Sequence, residues 1–139
     1  MRIASILLVG AAFIAGGGFA LAAPTDSSRG EQRLAAALEG RVAGKPVDCI
    51  SLRYIRSSEI IDRTAILYRT IDGKLYVNRP RSGQRSLKSS DILVTKTTSS
   101  ELCSIDTVRL YDSGSRIENG FVRLGKFVPY NKVAISDRS

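Results

Sequence analysis

Apolar positions fall into three regimes along the chain, and the change from one to the next divides it. The first is a run from Ile3 to Ala15 behind a single charge, Arg2, followed by Gly16-Gly17-Gly18-Phe19 and the small-residue stretch Ala20-Leu21-Ala22. This order predicts a secretory leader cut after Ala22, because a cut one residue later would put Leu21 three positions back and Pro24 just past the bond. A membrane anchor is the competing reading, but a spanning helix needs about 20 consecutive apolar residues, and this run breaks into glycines first. No cysteine follows to carry a lipid, and no later segment is apolar enough to span. The expected division is a leader over residues 1–22, a polar arm with a short helix over 23–45, and the main domain over 46–135.

The second regime is helical. Residues 24 to 30 are polar and small and read as a flexible arm. Ser28 and Glu31 stand at capping-box spacing, in which each side chain satisfies a backbone N–H of the first turn. Leu34 and Leu38 follow one turn apart with Ala35, Ala36 and Ala37 between them, and Gly40 is placed to end the helix in a left-handed conformation. So slight a helix can cover an edge or one end of a core. It cannot be the core.

From Cys49 the period becomes two. Ile50, Leu52 and Tyr54 alternate with Ser51, Arg53 and Ile55, as on a strand with one buried face. Asp72-Gly73, between Thr64 to Ile71 and Lys74 to Asn78, predicts a hairpin with a two-residue loop. That register pairs Thr70 with Leu75, Arg69 with Tyr76 and Tyr68 with Val77, and places Ile66, Tyr68, Leu75 and Val77 on one core face. Further strands are expected over Asp91 to Thr97, Ile105 to Tyr111 and Phe121 to Val128, the last ended by Pro129. About six short strands without a crossover helix predict a mainly β fold, a small antiparallel sandwich or barrel with one short N-terminal helix.

Composition narrows the chemistry. The chain of 139 residues has 21 lysines and arginines against 13 acidic residues; losing Arg2 with the leader leaves 20 against 13, a net charge of +7. In an oxidising compartment outside the cytoplasm, the periplasm or the medium, such an excess favours anionic partners: lipid headgroups, lipopolysaccharide phosphates or another envelope polymer. Nucleic acid would be met there only as stray material. The chain has no histidine, which excludes Ser-His-Asp and Cys-His nucleophile systems and imidazole-dependent zinc sites. A Ser-Lys pair around Lys88, with Ser86, Ser89 and Ser90, reads as a solvated loop. Asp48, Glu59, Asp62, Asp91, Glu101 and Asp106 are candidates for a carboxylate hydrolase by default. Asp106, three residues past Cys103, is expected to accept backbone hydrogen bonds instead. No catalytic residue, metal or cofactor is predicted.

Two positive features remain. Cys49 and Cys103 are the two cysteines, and in an oxidising compartment they are most simply a disulfide, closing a loop of about 55 residues for roughly 4 kcal/mol in the chain-entropy model. A redox-active pair would want C-x-x-C spacing or a histidine to lower a thiol pKa, and the chain has neither. Arg79, Arg81, Arg85 and Lys88 crowd one loop, while Arg53, Arg56 and Arg69 are interleaved with Tyr54 and Tyr68. Arginines that clamp phosphates beside tyrosines that offer stacking faces make a candidate anion-binding surface. The alternative is a charged edge that prevents strand-to-strand aggregation. An accessory subunit of an envelope assembly would instead show an uncovered apolar patch.

Four segments carry a family resemblance: Cys49-Ile50-Ser51-Leu52-Arg53-Tyr54-Ile55-Arg56-Ser57, Tyr76-Val77-Asn78, Leu102-Cys103-Ser104-Ile105-Asp106-Thr107 and Leu124-Gly125-Lys126-Phe127. In order and spacing they resemble a family of small exported proteobacterial proteins classed as a domain of unknown function. The resemblance covers about Cys49 to Tyr130. Its members carry two further cysteines at positions that hold Gln84 and Val122 here, which implies that those two pair in relatives and that Cys49 and Cys103 form the other bond. It implies no activity, ligand or catalytic residue.

Overall fold

The computed structural model describes residues 22, 23 and 25–134. The expected leader falls outside the described residues apart from Ala22. Five strands form the larger sheet, in the order β1 (Arg41–Ala43), β10 (Phe127–Lys132), β5 (Leu75–Asn78), β4 (Ala65–Thr70) and β3 (Ile55–Ile61). Three form a second sheet, β6 (Asp91–Thr95), β8 (Thr107–Asp112) and β9 (Glu118–Arg123), and two form a third, β2 (Cys49–Ser51) and β7 (Glu101–Cys103). Every pairing is antiparallel. With α1 (Asp26–Ala37), the one α-helix among the described residues, this is a mainly β sandwich.

The larger sheet is buried on both faces. On one, Ile60, Ile66, Tyr68 and Phe127 pack against Ile50, Leu102, Val108, Leu110 and Val122 of the two smaller sheets, with Leu87 plugging the space from the loop after β5. On the other, Ile61, Ala65, Leu67, Leu75 and Val77 lie beneath Leu34 of α1. Each large apolar side chain so buried contributes about 1.5–3 kcal/mol. Central β4 is therefore apolar on both sides, and alternation along it cannot say which residues face which layer.

This explains a register that differs from expectation by one residue. Tyr68 pairs with Tyr76, Leu67 with Val77 and Arg69 with Leu75. The loop has three residues, Ile71 to Gly73: Gly73 N–H donates to the Thr70 carbonyl at 3.1 Å, Thr70 N–H donates to the Lys74 carbonyl at 2.9 Å, and Gly73 sits at φ +84°. That is a turn followed by a left-handed bulge residue, the other hairpin that Asp-Gly suits. Asp72 Oδ1 locks it by accepting the Thr70 hydroxyl and, at 3.3 Å, the Lys74 N–H. A one-residue slip turns every side chain over, so Leu75 and Val77 face the helix while Tyr76 shares the sandwich side with Tyr68.

Other departures have tertiary causes. The alternation after Cys49 is interrupted by a 3-10 turn, Leu52–Tyr54, before β3 begins. The run Phe121 to Val128 is two strands in two sheets, β9 and β10. Between them Gly125 is clamped by the fully buried Asn78, whose Nδ2 donates to the Gly125 carbonyl at 2.7 Å and whose Oδ1 accepts its N–H at 3.0 Å. Pro129 lies within β10 and does not end it: it faces Gly44, past the end of β1, and accepts the Gly44 N–H at 2.7 Å where no donor is asked of it. The helix starts earlier than the capping-box reading placed it, with Thr25 as N-cap accepting the Ser28 N–H at 3.3 Å. Gly30, read as part of the arm, is a buried helical residue, and β1 pairs with β10, so residues 26–43 are built into the sandwich. Gly40 adopts the expected left-handed conformation at φ +71°.

Cys49 and Cys103 face each other across β2 and β7 and are joined, with Cα atoms 4.0 Å apart and the residues 54 positions apart in sequence. No helix among the described residues is long and apolar enough to cross a membrane.

Candidate functional site

The seven basic residues expected to form one face are divided by the fold into three groups. Three are engaged in holding the structure. Arg79 forks onto Glu31 of α1 at 2.6 and 2.8 Å, a bidentate pair that fastens the helix to the end of β5. Arg69 binds Glu59 across β3 and β4 at 3.1 Å, so it does not oppose Tyr76. Arg81 donates from Nε to the Leu124 carbonyl and from a terminal nitrogen to the Ser104 carbonyl, each at 2.9 Å, tying the β9–β10 connection to the turn after β7. Glu31 has a pKa below the usual glutamate value, chiefly because Arg79 hydrogen-bonds its charged form, and the same contact raises that of Arg79.

Arg53 and Arg56 form a second group, exposed at the 3-10 turn and the start of β3 beside Tyr54. Tyr76 faces a concavity that Tyr54 also lines, with the Lys74 ammonium 5.9 Å from its ring centre.

Arg85 and Lys88 belong to the third group, where the fold makes a concave site. A groove of about 450 Å³ runs between the first turn of α1 and the loop after β5, lined by Arg63, Arg81, Arg85, Ser27, Ser82 and Gln84. No carboxylate lines it. The loop is shaped by Gly83, at φ +79°, and is drawn up by Gln84, whose Nε2 donates to the carbonyls of Arg63 at 3.1 Å and Thr64 at 2.9 Å. Arg63 went unseen in the sequence. It occupies the tight β3–β4 connection at φ +52°, a left-handed position uncommon for a side chain of its size, and nothing local marks it as special. It borders an adjoining groove of about 360 Å³ that also holds Arg29, Arg33 and Lys88, together with Asp26 and Asp62. Asp26 pairs with Arg63 at 3.3 Å and Asp62 with Arg33 at 3.4 Å. The concavity is thus cationic with its acids already matched, and Arg85 and Lys88 carry no carboxylate partner among the described residues.

Most of the candidate carboxylates among the described residues are held by neighbouring groups. Glu59 and Asp62 come together only by sharing the guanidinium of Arg33, at 3.5 and 3.4 Å. Asp48 lies near the Ser104 hydroxyl at 3.3 Å and Lys126 at 3.7 Å, and Asp106 accepts the Cys103 N–H at 2.7 Å, the backbone role expected of it. Glu101 stands beside Cys49 and Cys103, but both sulfurs of that trio are bonded to each other. Next to Lys88, the Ser89 N–H donates to Asp62, so the serine-rich loop is pinned to the β3–β4 connection.

No family model, curated protein or solved structure matches the chain.

Proposed function

We propose that the chain is an exported, non-catalytic protein of the cell envelope whose groove at Arg63, Arg81 and Arg85 binds phosphate-bearing envelope components. The observation that carries the reading is a concavity lined by three arginines with hydroxyl and amide groups and no carboxylate, in which Arg63 pairs with Asp26 from outside the lining and Arg85 has no carboxylate partner among the described residues. Guanidinium groups present paired N–H donors that match phosphate oxygens, and a recess strengthens them by excluding water. Location in the periplasm or medium is supported by the formed disulfide and by the leader pattern. The resemblance to small exported proteins of undefined role agrees with it. The residue before Gln84, Gly83, lies against the backbone of Val122, so the two positions held by cysteine in those relatives fall on touching segments.

Binding of the mature chain to phosphatidylglycerol vesicles, to lipopolysaccharide and to inorganic pyrophosphate tests the reading and distinguishes the sources of the phosphate. Affinity for at least one should fall steeply between low and physiological salt. Arg85→Ser with Lys88→Ser should weaken it roughly tenfold or more, as expected for lost charge-assisted hydrogen bonds. Absence of binding at low salt, or binding that this variant leaves unaltered, overturns it. Arg79 and Arg81 are unsuitable positions for the test, because replacing them releases α1 and the β9–β10 connection.

A further inference from the structure

The two grooves beside α1 meet at one side chain. Arg63 lines both, the larger together with Arg81 and Arg85, the smaller together with Arg29, Arg33 and Lys88. Its backbone is bonded to the loop residues next to Arg85 and Lys88: the Arg63 carbonyl accepts Gln84 Nε2 at 3.1 Å, and the Arg63 N–H donates to the Leu87 carbonyl at 3.0 Å. Arg63, Arg85 and Lys88 are therefore held in a fixed relation by the fold, although a whole hairpin separates the first from the other two in sequence.

Position 63 is unfavourable for an arginine. At φ +52° a glycine would sit without strain, whereas a long side chain is disfavoured there. Departures of this kind gather at binding sites, where the surrounding structure holds them in place. The fold makes little use of the guanidinium itself. One terminal nitrogen lies 3.3 Å from Asp26, with both side chains half exposed, and the rest of the fork has no partner among the described residues.

Charge says how much the joined grooves can hold. Six of the residues that line them are cationic and two, Asp26 and Asp62, are acidic. Asp26 is shared by Arg29 and Arg63, and Asp62 by Arg33 and the Ser89 N–H. Just beyond the lining, Glu59 joins Arg33 to Arg69, which leaves the balance unaltered. The surplus is four positive charges, or three if Asp112, which feels the Lys88 charge from outside the lining, is set against it. A phosphate monoester carries about 1.5 to 2 negative charges at neutral pH. One such group cannot match the surplus; two can.

We propose that the two grooves act as one site for ligands with two phosphate groups, one held at Arg85 in the larger groove and one at Lys88 in the smaller, with Arg63 donating to both. This rests on the reading of the larger groove as a phosphate site and names what fills it. The planar fork of an arginine has five N–H donors, enough to serve two acceptors at once. Neighbouring phosphates of a free polyphosphate and separate phosphates on a glycolipid headgroup share this chemistry.

The test measures binding of the mature chain at low salt in two series. In solution the probes are inorganic phosphate, pyrophosphate and tripolyphosphate; on phosphatidylcholine vesicles they are monophosphoryl and diphosphoryl lipid A. In at least one series the probe with more than one phosphate should bind at least tenfold tighter than its single-phosphate counterpart, and the series that does so identifies the source. Arg63→Gly, which the left-handed backbone accepts without strain, should pull that ratio down toward one, and so should Lys88→Ser. Lys132→Ser, which removes a charge that lines neither groove, should leave the ratio at the parent's value. A ratio below tenfold in both series overturns the proposal, as does a ratio that Arg63→Gly and Lys88→Ser leave in place or that Lys132→Ser lowers equally. Binding that Arg85→Ser still weakens would then keep the single-phosphate reading standing. If no probe binds, that reading fails and the paired site fails with it.

Discussion

Gly30→Ala separates two effects that usually share a sign. In an exposed helix interior, glycine to alanine gains about 1 kcal/mol of helix propensity. At residue 30 the added β-carbon would overlap Thr64 Oγ1 and come within 2.7 Å of the Asp62 carbonyl oxygen. The hydroxyl cannot swing aside without giving up its 2.8 Å bond to that same carbonyl, and the carbonyl is backbone. Either the contact stays overpacked, at about 1–3 kcal/mol, or α1 lifts and forfeits much of the burial of Leu34, itself about 1.5–3 kcal/mol. The cheaper route costs about 1–3 kcal/mol, so after the propensity gain the variant should be destabilised by up to about 2 kcal/mol. With a urea m-value of about 1–2 kcal/mol/M for a chain of this size, the midpoint should fall by up to roughly 1 M, read by circular dichroism. Ala36→Gly, on the exposed side of α1, should cost about 1 kcal/mol with the ordinary sign. Adding Thr64→Ala to Gly30→Ala relieves one clash but not the carbonyl, and should recover only part of the loss. A Gly30→Ala midpoint at or above the parent's would refute close seating of the helix.

Two further outcomes follow from the staples of the fold. Cys49→Ala with Cys103→Ala should lower stability by up to about 4 kcal/mol, and thiol titration of the undenatured, unreduced protein should find none; two freely alkylated cysteines would contradict the bond. For the Arg79–Glu31 pair, the lowered carboxylate pKa stabilises the fold above the unfolded glutamate value, near 4.5, and that contribution disappears as pH falls through the depressed folded value. The pair is half exposed, so screening keeps the effect small. Denaturation midpoints between about pH 6 and pH 3 should fall further for the parent than for Glu31→Gln, and parallel curves would remove the pair from the account of stability.

What could be read in advance depended on how local its cause was. The strand period, the Asp72-Gly73 turn and the presence of just two cysteines are short-range or compositional facts, and they pointed to the class of fold and to the bond. Register at Tyr68 was beyond reach because β4 is apolar toward both layers and Asp-Gly serves two hairpin geometries. The break between β9 and β10 was hidden because Asn78, which clamps Gly125, lies 47 positions away. The basic residues show the same limit: Arg79 and Arg81 look as free as Arg85 until Glu31 and the Leu124 carbonyl are brought beside them. Arg63 needed the fold itself, since only the approach of Gln84 turns its connection into the rim of a groove.

The place of β10 has a bearing on when the molecule can take shape. It is the last strand among the described residues, yet it lies between β1 and β5 and joins β1, the first of them, to the rest of the sheet. While those last residues are still being synthesised, β1 has nothing to pair with and β5 has an open side. The sandwich therefore cannot shut until residues 127–132 have emerged to fill the place between them.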